Sequence, residues 1–319
     1  MCPRSKTSHH IVALTCLLIL IMVPITAGAD NNSVAARLAP EALLLGAARA
    51  GEDLIVVGER GHLLRSTDLG KSWQQIIVPT QATLTAITFI DPQHGWAVGH
   101  DLTILKTTDG GQNWHLVHQD IDEQPPLLSV FFLDINRGFA LGAYGTFLET
   151  DDGGRTWEQR WISEDDFHLN AIAAVGDHLF IAAEAGIVYR SDDQGETFIE
   201  LTPDYSGSFF GILPLKDTSL LLFGLRGHLF RSDNLGENWR QLPTDTEAGL
   251  TTGLQLKDGT SLIAGLSGTL LVSKDHGQSY SVRQDPDRKG FSKLLETADG
   301  GVLAVGDFGV TLLPQSLLR

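Results

Sequence analysis

Apolar residues along this chain come in short runs, and glycine or a polar cluster closes most of them. Residues 84–90 read LTAITFI, 95–99 read GWAVG and 102–107 read LTILKT. Runs of this length, rich in threonine, aromatic and branched residues and bounded by glycine, predict strands. The pattern then recurs. The phrase STDLGKSW at 66–73 returns as TTDGGQNW, TDDGGRTW, SDDQGETF, SDNLGENW and SKDHGQSY, six copies in all. Its closing aromatics are Trp73, Trp114, Trp157, Phe198, Trp239 and Tyr280, spaced by 41, 43, 41, 41 and 41 residues. So regular a period marks an array of supersecondary units. A second marker precedes each box: GERG, GHDL, GAYG, AEAG, GLRG and GLSG, beginning at 58, 99, 142, 183, 224 and 265, with a seventh, GDFG, at 306. Each unit therefore reads as four short strands, with the marker as the turn between the second and third and the box as the turn between the third and fourth.

The residue types of the box have structural reasons. Asp68, Asp109, Asp152, Asp193 and Asp275 can accept backbone N–H bonds inside the turn, the preceding Ser or Thr can add a hydroxyl bond, and the glycine can take a positive φ. Asn234 stands in the aspartate position of the fifth copy and still accepts a hydrogen bond, which favours structure over charge-dependent chemistry. An aromatic removes more than about 150 Å² from water when buried, so Trp73 and its counterparts are suited to wedge between neighbouring units.

The N-terminus reads as a targeting signal. Arg4 and Lys6 precede an apolar run over 11–25, and AGA at 27–29 supplies small residues for cleavage, which predicts a signal peptide over 1–29. The run is shorter than the roughly 20 residues of a membrane-spanning helix. Cys2 and Cys16, the only cysteines, would leave with the signal, so the mature chain would owe its stability to burial and strand pairing. The expectation is export to the periplasm or an equivalent compartment, as a monomer with no transmembrane span.

The pattern S/T-x-D-x-G-x-T/S-W is the Asp-box of the BNR repeat. With its period of about 41 residues and GWAVG before the turn, the chain resembles the photosystem II stability and assembly factor family. That resemblance covers nearly all of the expected mature chain. It implies an all-β, seven-bladed propeller of four-stranded blades over 30–319, which assists assembly of a membrane complex and catalyses no reaction. The family's arginine-rich patch has no counterpart here. Counting units gives the same blade number. After GDFG another box aromatic would fall beyond Arg319, so the last unit lacks a fourth strand, and SVAARLA at 33–39 is placed to supply it and close the ring.

Other chemistry finds little support. Asp-boxes also occur in sialidases, so a carbohydrate-binding or glycoside-cleaving propeller is the alternative reading. Yet the boxes would lie opposite the face formed by marker turns and inter-blade links, where Arg60, Arg226, Arg288, Tyr144, Tyr205 and Glu184 gather. The chain has no H-E-x-x-H, G-x-S-x-G, phosphate-binding glycine loop or paired C-x-x-C. His62, His100 and His228 recur near the marker turns, where packing explains them better than metal ligation. No cofactor or metal is expected, and a pI near 5.0 disfavours nucleic acid.

Charge matters by place. The links 118–126, 161–168, 202–208, 243–249 and 284–290 carry eleven acids and two bases. The marker turns add Glu59, Asp101, Glu184 and Asp307 against Arg60 and Arg226. A face holding Asp120, Asp122, Glu123, Glu164, Asp165 and Asp166, with Tyr144, Tyr205, Trp161, Phe209 and Phe308 near its rim, fits a protein partner with a basic surface. The partner expected is a protein of a membrane or envelope complex.

Overall fold

The computed structural model describes Met1 and residues 31–123, 125–216 and 218–318, so the expected signal segment, Met1 apart, lies outside the described residues. Seven antiparallel sheets follow one another, each built from consecutive strands. Blade 1 comprises Leu44–Ala50, Asp53–Gly58, Leu63–Ser66 and Gln74–Ile76, paired in that order. The first strands of the blades are Leu44–Ala50, Leu84–Phe89, Leu127–Phe132, Leu169–Val175, Phe209–Pro214, Leu250–Gln255 and Phe291–Glu296. Each packs beside the first strand of the next blade and the last beside that of the first, so the ring is closed.

Burial follows the order of strands. The second strands Gly95–Gly99, Gly138–Gly142, Leu220–Gly224, Ser261–Gly265 and Val302–Gly306 are buried along their whole length. Both of their faces meet a neighbouring blade, which is why they read as continuous apolar runs and not as an alternation. The fourth strands lie at the outer edge and are largely exposed. The buried apolar residues form seven clusters, each drawn from two consecutive blades. The core is therefore distributed over seven seams, with each fully buried Leu or Phe worth about 1.5–3 kcal/mol.

The boxes stitch their own turns and one seam each. In blade 1 the Ser66 hydroxyl donates to Asp68 Oδ1 at 2.8 Å and accepts from the Gly70 N–H at 2.8 Å. Asp68 also accepts from the Ser72 N–H at 2.9 Å and the Ser72 hydroxyl at 2.6 Å. The same set recurs around Asp152, Asp193 and Asp275, and around Asp109 with the Asn113 amide in place of the second hydroxyl. Asn234 keeps the bonds from Ser232 and the Asn238 N–H. The aromatics then reach the preceding blade. Trp114 packs into the cluster of blades 1 and 2, and Trp157 meets Phe132 edge-on at 5.9 Å in that of blades 2 and 3. Phe198, Trp239 and Tyr280 serve the next three seams, and Trp73 packs against the cluster joining blades 1 and 7.

Cations latch four of these seams as well. Lys106 Nζ in blade 2 donates to the Gly153 carbonyl in the box of blade 3 at 2.6 Å. Arg160 of blade 3 reaches the Glu196 carbonyl, Arg190 of blade 4 the Leu235 carbonyl and Arg231 of blade 5 the His276 carbonyl, at 2.7–3.0 Å. Arg231 is 2% exposed and also binds Asp233 and Ser219.

The expected strand over 33–39 does not form. The seventh sheet has three strands, Phe291–Glu296, Val302–Gly306 and Gly309–Leu312. Ser33 instead bonds the backbone of Val78 at 2.8 Å, and a single 3-10 turn spans Ala39–Glu41. Pro40 has no N–H for a ladder, and its carbonyl lies so close to Gly309 that a Cβ there would be 2.0 Å away. The Thr80, Tyr205 and Thr246 carbonyls of true inter-blade links meet Gly61, Gly186 and Gly227 in the same way. The N-terminal segment thus stands where a link between blades 7 and 1 would run. Leu313 and Leu318 are buried in the cluster of blades 6 and 7.

Deleting residues 31–41 is expected to lower the melting temperature by several degrees, because Ala39 is removed from the cluster of blades 1 and 7; an unchanged calorimetric transition contradicts this closure. The boxes give a pH dependence. Hydrogen bonds from Ser72 to Asp68 and from Thr197 to Asp193 hold both carboxyls down at about 2. Their stabilisation is present above the usual carboxylate range and is lost as pH falls through about 2. Acid unfolding of Asp68→Asn, Asp193→Asn should accordingly show a shallower pH slope below about 4 than wild type.

A candidate partner-binding face

The marker turns and the links share one end of the ring. In all seven blades a turn N–H donates to the carbonyl just before that blade's first strand: Glu59 to Leu43, His100 to Thr83, Ala143 to Pro126, Glu184 to His168, Leu225 to Ser208, Leu266 to Gly249 and Asp307 to Gly290, at 2.8–3.3 Å. The boxes are at the other end, where Gly110 and Gly153 bond Gln93 and Asn136 in the turns between first and second strands. Six of the seven marker turns place two left-handed residues in succession, such as Arg60 and Gly61 or Arg226 and Gly227, and the seventh has Gly309 alone. Glycine takes the second position in five of the six, with Leu102 in the other, and at Gly61, Gly186 and Gly227 a link carbonyl fills the space of a Cβ; at the first, side chains such as Arg60, Tyr144 and Arg226 project into solvent.

That geometry displays Tyr144, which is 60% exposed. Its ring meets His168 at 5.0 Å, and His168 Nδ1 lies 2.9 Å from Glu184 Oε2, an ion-pair distance without hydrogen-bond alignment. Trp161, 63% exposed, lies against the adjoining Gly145, and the same link carries exposed Glu164, Asp165 and Asp166. On the neighbouring link, Asp120 caps its own turn by accepting from the Asp122 and Glu123 N–H groups, leaving Ile121, Asp122 and Glu123 exposed. Arg60, Arg226 and Asp307 are exposed, the last accepting from the Gly290 N–H, and Glu59 accepts from the Leu43 N–H.

Other residues expected at this rim are built into the fold. Tyr205 donates its hydroxyl to the Leu225 carbonyl at 3.1 Å and packs among Phe209, His228 and Phe230, and burial raises its pKa. Phe308 is half-buried against Phe291. His62 is buried beside Gln75 with its pKa lowered by burial, so it and His228 serve packing. Sequence reading missed the exposed Leu43, Leu225 and Leu266, although GLRG and GLSG place leucine in a solvent-facing turn. It also missed the channel on the ring axis. Every first strand carries a register shift after its opening residue, at Leu45, Thr85, Leu128, Asn170, Phe210, Thr251 and Ser292. These seven bulges ring the mouth of a cavity of about 340 Å³. Thr85, Asn170 and Thr251 also pin the next blade, donating to the Leu127, Phe209 and Phe291 carbonyls at 2.5–2.8 Å.

Seven blades with boxes at one end and a turn-and-link face at the other define a BNR-type, seven-bladed propeller. The chain belongs to the photosynthesis system II assembly factor YCF48 family, whose model matches residues 66–126 and 116–261, more than half of the sequence. The photosystem II assembly protein Ycf48 of Thermosynechococcus vestitus is 50% identical over 42 residues, 13% of this chain and 12% of its own length. The chloroplastic photosystem II stability/assembly factor HCF136 of Cyanidioschyzon merolae is 37% identical over 67 residues, 20% of this chain and 15% of its own. These alignments thus span under one fifth of the relatives' length. Among solved structures, YCF48 bound to D1 peptide superposes with a TM-score of 0.69 at 22% identity, covering 85% of this chain and 93% of that one. A streptogramin B lyase superposes at 0.72 with 14% identity over 86% and 95% of the two chains, so the architecture is shared with an enzyme. Among the described residues no helix is long and apolar enough to cross a membrane.

The two positions of a marker turn should respond oppositely to substitution. Ala185 has a left-handed φ of 56°, and Ala185→Gly should be neutral or stabilising by up to about 1 kcal/mol. Gly227→Ala places a Cβ 2.1 Å from the Thr246 carbonyl and should cost more than about 2 kcal/mol in chemical denaturation.

Proposed function

We propose that this protein is a non-catalytic, exported propeller that binds a protein partner through its turn-and-link face and serves as an assembly or accessory factor for a membrane complex. The observation that carries this reading is the patch on blade 3, where exposed Tyr144 and Trp161 stand beside Glu164, Asp165 and Asp166. Aromatic anchors inside a charged surround are the usual composition of a recognition site. Open aromatic faces take up cationic side chains, and the carboxylates select for them. The partner segment is therefore basic with apolar residues interspersed, and Asp120, Asp122 and Glu123 extend its track along the next link. Export follows from the N-terminal Arg4, Lys6, apolar run and AGA, and it places the chain where envelope proteins present their extracytoplasmic loops. Membership of an assembly-factor family supports the same role, and D1 peptide, bound in a YCF48 structure of the same fold, is the natural first probe.

Two variants test the face. One converts Asp120, Asp122, Glu123, Glu164, Asp165 and Asp166 to their amides; the other is Tyr144→Ala, Trp161→Ala. Both should melt within about a degree of wild type, because exposed charges and rings contribute little to stability. Association with D1 peptide, or with a membrane protein cross-linked and identified in envelope extract, should slow roughly tenfold in the amide variant and weaken with salt. The aromatic variant should instead dissociate faster. Equal rates for all three proteins at low and high salt overturn the proposal. Hydrolysis of a glycoside by the purified protein replaces it with the enzymatic reading.

A further inference from the structure

The layer just inside the channel mouth consists of Gly46, Ala86, Ser129, Ala171, Gly211, Thr252 and Lys293, at equivalent positions of the seven first strands. Six of these are small. The one long side chain of the layer is that of Lys293. Lys293 lines the channel and is exposed to the water within it. It makes no hydrogen bond or ion pair with any described residue, and no Asp or Glu lines the cavity. Burial alone lowers its pKa; no acidic neighbour offsets the shift. In a chain of net charge −16, the axis is thus lined by a single uncompensated cation. A cation in a channel walled by protein, with no acid beside it, attracts a counter-ion.

The mouth supplies the second half of a site. A cavity of about 390 Å³ opens onto the same ring of bulges; its walls are mostly apolar, from Leu43, Leu45, Leu128, Phe210, Leu266 and Phe291, with Asp307 also lining it and accepting from the Gly290 N–H. The hydroxyls of Thr85 and Thr251 at that ring already bind neighbouring carbonyls. A ligand entering from the turn-and-link face therefore meets apolar walls first and the ammonium group next. We propose that the axial channel binds a carboxylate carried on a short apolar body, with the carboxylate on Lys293 Nζ and the body in the leucine and phenylalanine mouth. Such a group is offered either by a free short-chain acid or by the C-terminus of a peptide ending in an apolar residue. Asp307 belongs both to the acidic rim and to this mouth, so the carboxylate seats beyond it, on Lys293.

Calorimetric titration of the purified protein separates the possibilities. Hexanoate should bind, hexanol and acetate at least roughly tenfold more weakly, since each lacks one half of the ligand. Lys293→Met should weaken hexanoate roughly ten- to a hundredfold and Lys293→Arg less. In wild type, the Lys293 side-chain carbon resonances should titrate below an ordinary lysine and move back upwards with ligand, a readout that stands even if the methionine variant fails to fold. A pentapeptide ending in leucine, as free acid and as amide, distinguishes the sources: tighter binding of the free acid than of hexanoate assigns a chain terminus, the reverse a small acid. Equal affinity of hexanoate and hexanol, retention by Lys293→Met, or no heat from any acid at millimolar concentration overturns the site.

Discussion

No backbone ladder joins one blade of this propeller to the next; the ring holds together through what each blade presents sideways. That constraint explains where the chain invests its residues. Second strands are apolar on both faces because both are interior, and each seam has its own cluster of buried side chains. The Asp-box satisfies its own turn with a handful of hydrogen bonds and so holds its carbonyls rigid enough for a cation of the previous blade to grip. Lys106, Arg190 and Arg231 do so from the residue before their own box, each on the carbonyl before the next blade's box glycine, whereas Arg160 comes from just after a fourth strand and takes the Gly195 and Glu196 carbonyls.

The same constraint frees the two ends of the ring for other uses. The box end is tightly self-satisfied. At the other end, paired left-handed residues press one backbone against a link and project one side chain outwards, so the fold tolerates Arg60, Tyr144, Ala185, Arg226 or Ser267 at one repeated position. Variation at such a position alters a surface without touching the core. Concentration of acids on the links, with Tyr144 and Trp161 among them, belongs to that freedom.

Much of this was legible in the sequence because local rules and the repeat agree. The boxes, marker turns, blade number and the opposition of the two ends follow from the 41-residue period and from what Ser, Asp, Gly and Trp do in turns. Closure was misjudged because SVAARLA looked available as a strand, whereas Pro40 and the carbonyl filling the Cβ space of Gly309 decide otherwise, and neither is a pattern. Tyr205 and Phe308 were expected at the rim, but their packing partners lie in other strands, beyond the reach of local reading. The axial channel was invisible for a sharper reason. A one-residue bulge changes which side chains face the axis, and only the pairing register reveals it.

The pins from Thr85, Asn170 and Thr251 join blades 2 with 3, 4 with 5 and 6 with 7. Seven is odd, so couples cannot tile the circle, and the blade left single is the one over which the chain's entry segment lies. That seam also receives no cationic latch among the described residues. Cationic latches also tie blade 3 to blade 4 and blade 5 to blade 6, so blades 2 to 7 form one linked run, and the thread of entry peptide acts as a catch beside blade 1. The short sequence that fastens the catch thus belongs to the ring as much as any blade does.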